Sequence, residues 1–583
     1  MFWRKREDPT RRELAQRLTA LPLFVGLERS ALDALVAELE WIALPGGVLL
    51  FDQGEEPDAL YVLLYGRLLA ERRDRAGRWQ PVGSVGAGES VGEAGLLAGE
   101  PRGARVSAVR DCELLRLSAP ALERVAALHP QPMLRMARFA LRRYALTRET
   151  PAPPTCFALL PATRGVDAEG FAHQLLAALG IDDLETAVIR AEDARGRDSA
   201  WFAEREAQVP RLLYLGSEDD PAWRERCVRQ SDCVLLLADA TRPCSDSSLV
   251  AAPPVHDRVR QLLVLLQDGD PRAGSTRAWR DAFTQAHQHA HLRGAGDLAR
   301  LARRLTGNDR GLVLSGGGAR GFAHLGAVRA LRASGLAIDY IGGASIGAIM
   351  GAGVAADWDE ATLREVFHRS FVIGRPVREW TLPLMSLYSG RSVSRLLRAA
   401  FGERDIEDLP LPYYCVSSDL TEGRLKVHER GPLWQWLRAS SAIPGILPPV
   451  FTGGRVLVDG GVIDNMPVRE MRQRLQGDIV AVDAGADYAL PTTLEEIDGP
   501  SVWTLLGELF GERTHPRITQ ILLRAGMVNS DATARRWRHY ADLMVMPRLP
   551  AVDLLDWSAF DAAIEEGYRA AMEALEARER RES

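Results

Sequence analysis

The 583 residues, 46% hydrophobic and 26% charged, exceed what one compact core uses and predict about two to four folded domains. Such a composition excludes wholesale disorder and collagen-like or mucin-like chains, and a net charge of −6 over this length gives no general attraction to nucleic acid. The six cysteines, Cys112, Cys156, Cys227, Cys233, Cys244 and Cys415, form no Cys-x-x-Cys pair, which argues against a disulfide scaffold or zinc ribbon and for a reducing compartment.

Met1 to Arg6 is basic but runs into Pro9 rather than an apolar core, so no secretory signal is expected. No run reaches the roughly 20 apolar residues of a spanning helix, the longest, Ile341 to Ala356, being thick with glycine. A cytoplasmic protein, at most peripheral at the inner face of a membrane, is expected. Helical spacing over Leu14 to Leu39 and Met133 to Thr147 brackets short strands at Val48 to Phe51, Leu60 to Leu64 and Leu68 to Ala70, which predicts a β-roll flanked by helices. Thr150-Pro151-Ala152-Pro153-Pro154 cannot continue a helix and closes a first domain, 1–150.

Buried-strand patterns at Phe157 to Leu160, Cys233 to Ala238 and Leu262 to Leu266 alternate with helical segments and predict a parallel α/β middle domain, 151–308. Its loop Pro161 to Gly165 follows a strand, but Lys5 and Lys426 are the only lysines, so the Gly-Lys-Ser/Thr of a P-loop is missing. The segment is read as structural or interdomain. His287, His289 and His291 alternate without partner Cys or carboxylate spacing and are assigned to surface or packing, with no metal site. Leu298 to Leu305 reads as a helix stopped by Gly307-Asn308-Asp309, and a third α/β domain, 309–583, begins there.

That domain opens with a short strand, Gly311 to Ser315, then Gly316-Gly317-Gly318-Ala319-Arg320-Gly321 and a helix carrying Phe322, Leu325, Val328 and Leu331 to a stop at Gly335. Ile338 to Ile341 reads as a strand leading into Gly343-Ala344-Ser345-Ile346-Gly347 and a helix over Ala348 to Ala356, the pattern of a nucleophile elbow. Gly316-x-Gly318-x-x-Gly321 also fits a dinucleotide fingerprint, whose ribose carboxylate would be Asp339. Asp339, however, opens the strand that delivers Ser345, whereas an oxyanion hole from the amides of Gly317, Gly318 and Ile346 explains both motifs together. Late histidines, His515 and His539, lack a strand-end glycine setting, so a Ser-His-Asp triad is poorly supported. Asp459, in Leu457-Val458-Asp459-Gly460-Gly461-Val462, is the alternative base; a plain turn aspartate fits the same spacing.

Together these three segments resemble the motifs of patatin-like phospholipases. The resemblance implies that Ser345 is the nucleophile, Asp459 its base and Gly316 to Gly318 the oxyanion loop, with Gly321, Gly343, Gly347, Gly460 and Gly461 supporting the motifs. Arg320 would brace the loop or meet a substrate phosphate. Ala439 to Gly445 and Asp464-Asn465-Met466-Pro467 resemble stretches around the aspartate in that family.

In the first domain, Gly88 to Leu97 followed by Pro101-Arg102-Gly103-Ala104-Arg105-Val106 resembles the phosphate-binding cassette of cyclic nucleotide-binding domains. Glu93 would accept a ribose hydroxyl, Arg102 would neutralise the phosphate, and amides near Gly92, Gly103 and Ala104 would form an anion nest; a glycine-rich hairpin is the plain alternative. Arg105 is a second cation where that family carries a small residue. Taken whole, the chain resembles the neuropathy target esterase family and its bacterial relatives. That implies a metal-independent serine esterase acting on phospholipids or lysophospholipids at a transient membrane surface, with cyclic AMP or cyclic GMP as regulator and a homo-oligomer left open. The competing expectation is a catalytically silent, cyclic-nucleotide-responsive binding protein. Val502, Trp503, Leu505, Leu506, Leu509 and Phe510 are candidates for a lid or an interfacial contact, and Trp380 to Met385 for the cleft wall; core packing is the plain alternative for both.

Overall fold

The computed structural model describes residues 4, 5, 18, 28–73, 77, 79–129, 153–246, 259–283, 288–485, 521, 533, 536–550 and 552–582. Its contacts gather into two units, Met1–Leu266 with Arg280–Leu292, and Gln267–Trp279 with Arg293–Ser583. No helix among the described residues is long and apolar enough to cross a membrane.

The first unit begins as the expected roll. Its strands are β1 (Arg4–Lys5), β2 (Glu40–Leu44), β3 (Leu49–Phe51), β4 (Ala59–Tyr65), β5 (Leu68–Arg73), β6 (Trp79–Val85), β7 (Ser90–Val91), β8 (Arg105–Ala108) and β9 (Cys112–Ser118). They form two antiparallel sheets, ordered β1-β2-β9-β4-β7 and β3-β8-β5-β6. Between them lie Ile42, Leu44, Phe51, Tyr61, Leu63 and Leu114, supplied by alternate positions of facing strands. Outside the roll, the helices Arg29–Glu38 and Ala119–Leu128 pack Leu32, Leu35 and Val36 against Leu122 and Val125. The second starts where Ser118 accepts the Ala121 amide and a proline occupies the first turn. The expected helix at Met133 to Thr147 lies outside the described residues.

The middle region forms one parallel sheet from β10 (Cys156–Pro161), β11 (Val188–Ile189), β12 (Leu212–Leu215), β13 (Cys233–Asp239), β14 (Arg260–Leu266) and β15 (Gln288–Leu292), ordered β11-β12-β10-β13-β14-β15. The Leu-Val runs of β10, β13 and β14 are buried on both faces, as helix-covered parallel strands require. Roll and sheet share a buried ion cluster. Arg110 donates to Glu206 at 2.6 Å and to the Cys156 sulfur at 2.8 Å, and lies 3.4 Å from Asp232. Asp232 also accepts the amides of Thr155 and Cys156, so this cluster closes on the proline-rich junction. The loop after β10 gives its Gly165 amide to the Glu218 carboxylate at 2.7 Å, an acid sitting where a phosphate-binding loop would hold its anion.

The second unit is built on β16 (Gly311–Leu314), β17 (Tyr340–Ala344), β18 (Tyr413–Asp419), β19 (Arg424–His428), β20 (Val450–Thr452), β21 (Arg455–Asp459), β22 (Ile479–Val482) and β23 (Leu543–Val545). The order is β20-β21-β18-β17-β16-β22-β23, with β19 also on β18. The run from β18 to β23 is parallel, and β21 joins β18 antiparallel with Asp459 opposite Ser417. Strand β17 starts two residues later than Ile338, because Asp339 is spent on an ion pair with Arg303 at 2.6 Å and on the Arg310 amide. That pair, with Arg293 on Asp357 at 2.6 Å, ties the helix Ala295–Thr306 into this unit. The helix Ile346–Ala355 is buried along its whole length, so its glycines and small residues serve packing between sheet and neighbours rather than a membrane.

Candidate active site

Ser345 stands at the turn between β17 and the helix Ile346–Ala355, with φ 52° and ψ −125°, a conformation that costs a side-chain-bearing residue about 1–3 kcal/mol. The surroundings hold it there. Its amide donates to the Ser440 hydroxyl at 2.9 Å. Gly347 lets the turn close, since a Cβ at that position would lie 2.3 Å from the Leu314 carbonyl oxygen. Ser345 is the N-cap of the helix that follows, so it sits at the positive end of the helix dipole, where negative charge is stabilised.

From the other side comes Asp459, the last residue of β21. Ser345 Oγ donates to Asp459 Oδ2 at 2.6 Å, while Asp459 Oδ1 accepts the Gly461 amide at 2.8 Å. Burial pushes the carboxyl up to about 7, against the smaller opposing effects of the Ser345 and Gly461 hydrogen bonds. A carboxyl held there is half ionised near neutral pH and can exchange a proton with the bonded hydroxyl. Among the described residues, no histidine lines the recess in front of Ser345. Buried His324 is pushed down to about 4 and bonds the Ser315 carbonyl at 2.8 Å, while His428 bonds the Ser417 hydroxyl and stacks on Trp436. His539 bonds the Arg536 carbonyl, and His515 lies outside the described residues.

The glycine loop runs beside the elbow. Gly318 adopts φ 56°, a position where a Cβ would lie 2.1 Å from the Leu554 carbonyl oxygen, and it lines the recess with Ser345 and Ile346. Gly316 departs from the expected set of oxyanion donors: its amide donates to the Asn465 carbonyl at 3.1 Å, and its carbonyl accepts the Asn465 side-chain amide at 3.2 Å. Gly317, Gly318 and Ile346 remain as the donors of the sequence expectation. Arg320 is fully buried beside the loop rather than facing the recess, which fits bracing and not a substrate phosphate. Gly321 packs on Ile346, Gly343 is in β17, and Gly460 with Gly461 form the turn after Asp459. Asp339, bound to Arg303, has no carboxylate left for a ribose.

In front of Ser345 lies an apolar recess walled by Ile349, Phe371, Leu397, Phe401, Leu447 and Trp557 among others. Its lining of aliphatic and aromatic side chains suits an apolar ligand group such as an acyl chain. Segments that carry no motif supply most of this wall, including the helix Arg391–Phe401, the π-turn His368–Ile373 and the Leu555–Trp557 stretch. Trp380 to Met385, a candidate for the cleft wall, is instead exposed and outside the lining; Pro376 and Val377 just before it are the wall residues. The Val502 to Phe510 candidate lies outside the described residues.

The roll treats its cassette differently. Glu93 opens the short helix Glu93–Ala98 and is buried, its Oε2 without a hydrogen-bond partner, so it fits an acceptor for a ribose hydroxyl. Arg102 is turned inward. Its guanidinium donates to the carbonyls of Gly92 at 2.8 Å and Ala59 at 2.6 Å, meets Asp58 at 3.2 Å, and lies 4.2 Å over the Phe51 ring. Gly103 accepts the Arg72 side chain, and Arg105 pairs with Glu71 at 2.8 Å beneath Trp79. In this conformation Arg102 does not offer its charge to a phosphate, contrary to the sequence expectation, because three backbone and side-chain acceptors compete for it.

Comparison with known proteins finds three family models along the chain. Residues 41–129 match the cyclic nucleotide-binding domain, 155–297 the neuropathy target esterase family P-loop like domain, and 312–472 the patatin-like phospholipase family. Among curated proteins, the chain is 29% identical to "Lysophospholipase NTE1" of Coccidioides immitis over 92% of its own length and 40% of the relative's. It is 27% identical to "Lysophospholipase NTE1" of Saccharomyces cerevisiae over 90% of its length and 40% of the relative's. It is 28% identical to mouse "Patatin-like phospholipase domain-containing protein 6" over 91% of its length and 44% of the relative's. The chain spans less than half the length of the curated relatives it matches.

Proposed function

We propose that this chain, which has the domain order of the neuropathy target esterase family, is a serine esterase that hydrolyses fatty-acyl esters of phospholipids or lysophospholipids through a Ser345–Asp459 dyad. The observation that carries this is the 2.6 Å hydrogen bond from Ser345 Oγ to Asp459 Oδ2, at the mouth of an apolar recess.

In the first half-reaction Asp459 takes the hydroxyl proton as Ser345 Oγ attacks the ester carbonyl carbon. The carbonyl electron pair moves to oxygen, to which the amides of Gly317, Gly318 and Ile346 donate hydrogen bonds that stabilise the charge. Collapse breaks the acyl C–O bond, and protonated Asp459 returns the proton to the leaving alcohol oxygen, leaving an acyl-Ser345 ester. Water then repeats the sequence, giving up a proton to Asp459, attacking the acyl carbon and releasing the fatty acid with Ser345 restored. The elevated Asp459 pKa suits both directions of transfer near neutral pH. The acyl chain lies along Ile349, Phe371, Leu397 and Phe401.

Within the division 1–150, 151–308 and 309–583, the roll is the regulatory part of this proposal. Glu93 would hold the ribose of a cyclic nucleotide, and Arg102 would have to leave the Gly92 and Ala59 carbonyls to meet its phosphate. Nucleotide binding would then be coupled to rearrangement of the 92–105 segment. Membrane lipid is the expected substrate source, and catalysis calls on no metal. A fluorophosphonate probe tests the esterase proposal: labelling of the parent and its loss in Ser345→Ala support it, whereas an unlabelled parent means the silent binding protein instead.

A further inference from the structure

Beside the recess a short hairpin stands out from the second unit. Its base is closed by the Ser389 amide on the Glu379 carbonyl at 2.9 Å and by the Ser389 hydroxyl on the Glu379 carboxylate at 2.9 Å. Above the base, Trp380 and Tyr388 form a bridge with their rings 4.8 Å apart, and the Thr381 amide meets the Leu387 carbonyl at 3.1 Å. The tip is Leu382-Pro383-Leu384-Met385, tightened by the Leu384 amide on the Leu382 carbonyl. Trp380 is 71% exposed, Leu382 78%, Leu384 88% and Met385 64%. A contiguous apolar tip this open on an ordered, hydrogen-bonded hairpin is costly in water unless something covers it.

The hairpin is fastened to the recess. The Leu387 amide donates to the Gly445 carbonyl at 2.8 Å and the Tyr388 amide to the Ile446 carbonyl at 3.0 Å, while Ile443 and Leu447 on either side line the recess. Pro376 and Val377, which lead into the hairpin, are wall residues too. Charge supplies the partner. From Arg369 to Arg398 the sequence holds six arginines and one carboxylate, Glu379, and Arg375, Arg378, Arg391 and Arg395 are exposed around the hairpin base. An apolar tip with a tryptophan, ringed by cations at its base, matches the layering of a bilayer whose anionic headgroups lie above its acyl chains.

We propose that the hairpin Glu379–Ser389 and the arginines at its base form a docking surface for an anionic phospholipid bilayer, seating the tip among acyl chains with the recess opening beside it. This rests on the esterase proposal, since it names where the acyl substrate comes from. The experiment therefore reads binding and chemistry separately. Full-length Ser345→Ala protein, unable to consume lipid, is co-sedimented with vesicles of phosphatidylcholine alone or with about a quarter phosphatidylglycerol. The expected result is binding that phosphatidylglycerol strengthens, falling about tenfold or more when Leu382, Leu384 and Met385 are all changed to Ser. Arg375→Glu with Arg378→Glu should abolish the phosphatidylglycerol dependence. In the Ser345 background, the triple Ser variant should hydrolyse a water-soluble butyrate ester at the parent rate, because none of its positions lines the recess. Loss of butyrate hydrolysis in the parent would strike the esterase proposal and leave the vesicle result standing. Vesicle binding unchanged in the triple variant overturns the docking surface. So does a parent that self-associates without vesicles while the triple variant sediments as a monomer, which would make the tip an interface between copies.

Discussion

The elbow around Ser345 and the cassette around Arg102 are built alike, as a strand running into a glycine turn and a helix, with a charged residue brought from elsewhere in the sequence. They differ in what the charged residue does. Asp459 spends one oxygen on the Gly461 amide and keeps the other for Ser345, which faces an apolar recess. Arg102 spends its amino groups on Gly92, Ala59 and Asp58 and its face on Phe51. A motif fixes where the backbone goes; whether its charged side chain serves chemistry or the fold depends on how many competing acceptors lie within reach.

The contrast is broken most forcefully at Asp459. Asp459→Asn should lower ester hydrolysis about a thousandfold or more while far-UV circular dichroism stays that of the parent. Its stability should show a definite pH signature. Because the folded carboxyl titrates near 7 and the unfolded one near 3.8, this group's stabilising contribution is complete below about 3.8 and declines as pH rises through 7. Asn removes that decline, so thermal melting should show the variant gaining on the parent as pH goes from 5 to 8. An Asp459→Asn protein that melts well below the parent at pH 8 would place the carboxylate among the structural charges, like Arg102.

Arg102→Ala should do the opposite. It takes the side-chain donor from the Gly92 and Ala59 carbonyls and leaves Asp58 to Arg116 alone, and should cost the roll about 2–3 kcal/mol in chemical denaturation while hydrolysis of a soluble ester stays near the parent rate. Calorimetry with cyclic AMP and cyclic GMP sharpens this side: heat that persists in Arg102→Ala and vanishes in Glu93→Ala would assign recognition to the buried glutamate alone. Asn465→Ala, which removes one of the two hydrogen bonds between the glycine loop and the Asp459 turn, should lower kcat severalfold with KM little changed, as expected of a positioning residue. Smallest is Ala400→Phe in the recess wall. It should slow a long-chain ester a few-fold relative to a butyrate ester, read as a ratio of kcat/KM values.

Much of the architecture was legible because its signals are local. The apolar runs of β4, β10, β13 and β14, the Gly307 stop and the strand, glycine and serine order around Ser345 each depend on neighbours in sequence. Asp459 was reachable as a candidate, but its choice over a turn aspartate needed β21 to be seen lying against β18. Long-range partners left fainter signals. Ser440, which holds the Ser345 amide, and Asn465, which locks Gly316, sit in stretches that stood out as family-like without a role for either residue. The wall of the recess comes from ordinary helical spacing, as in Arg391–Phe401, and nothing in that spacing separates a wall facing a ligand from one facing a core. Arg102 shows the converse: its motif is local and legible, while the groups that compete for its side chain, Ala59 and Phe51, belong to strands that carry no motif.

The central claim is that Asp459 activates Ser345, and the rate of fluorophosphonate adduct formation on the intact protein between pH 5 and 9 tests it most directly. The account predicts one adduct, located on Ser345, forming at a rate that climbs through about pH 7 in the parent and is nearly lost at every pH in Asp459→Asn. Adduct formation in Asp459→Asn as fast as in the parent, or a parent that forms none, would contradict it.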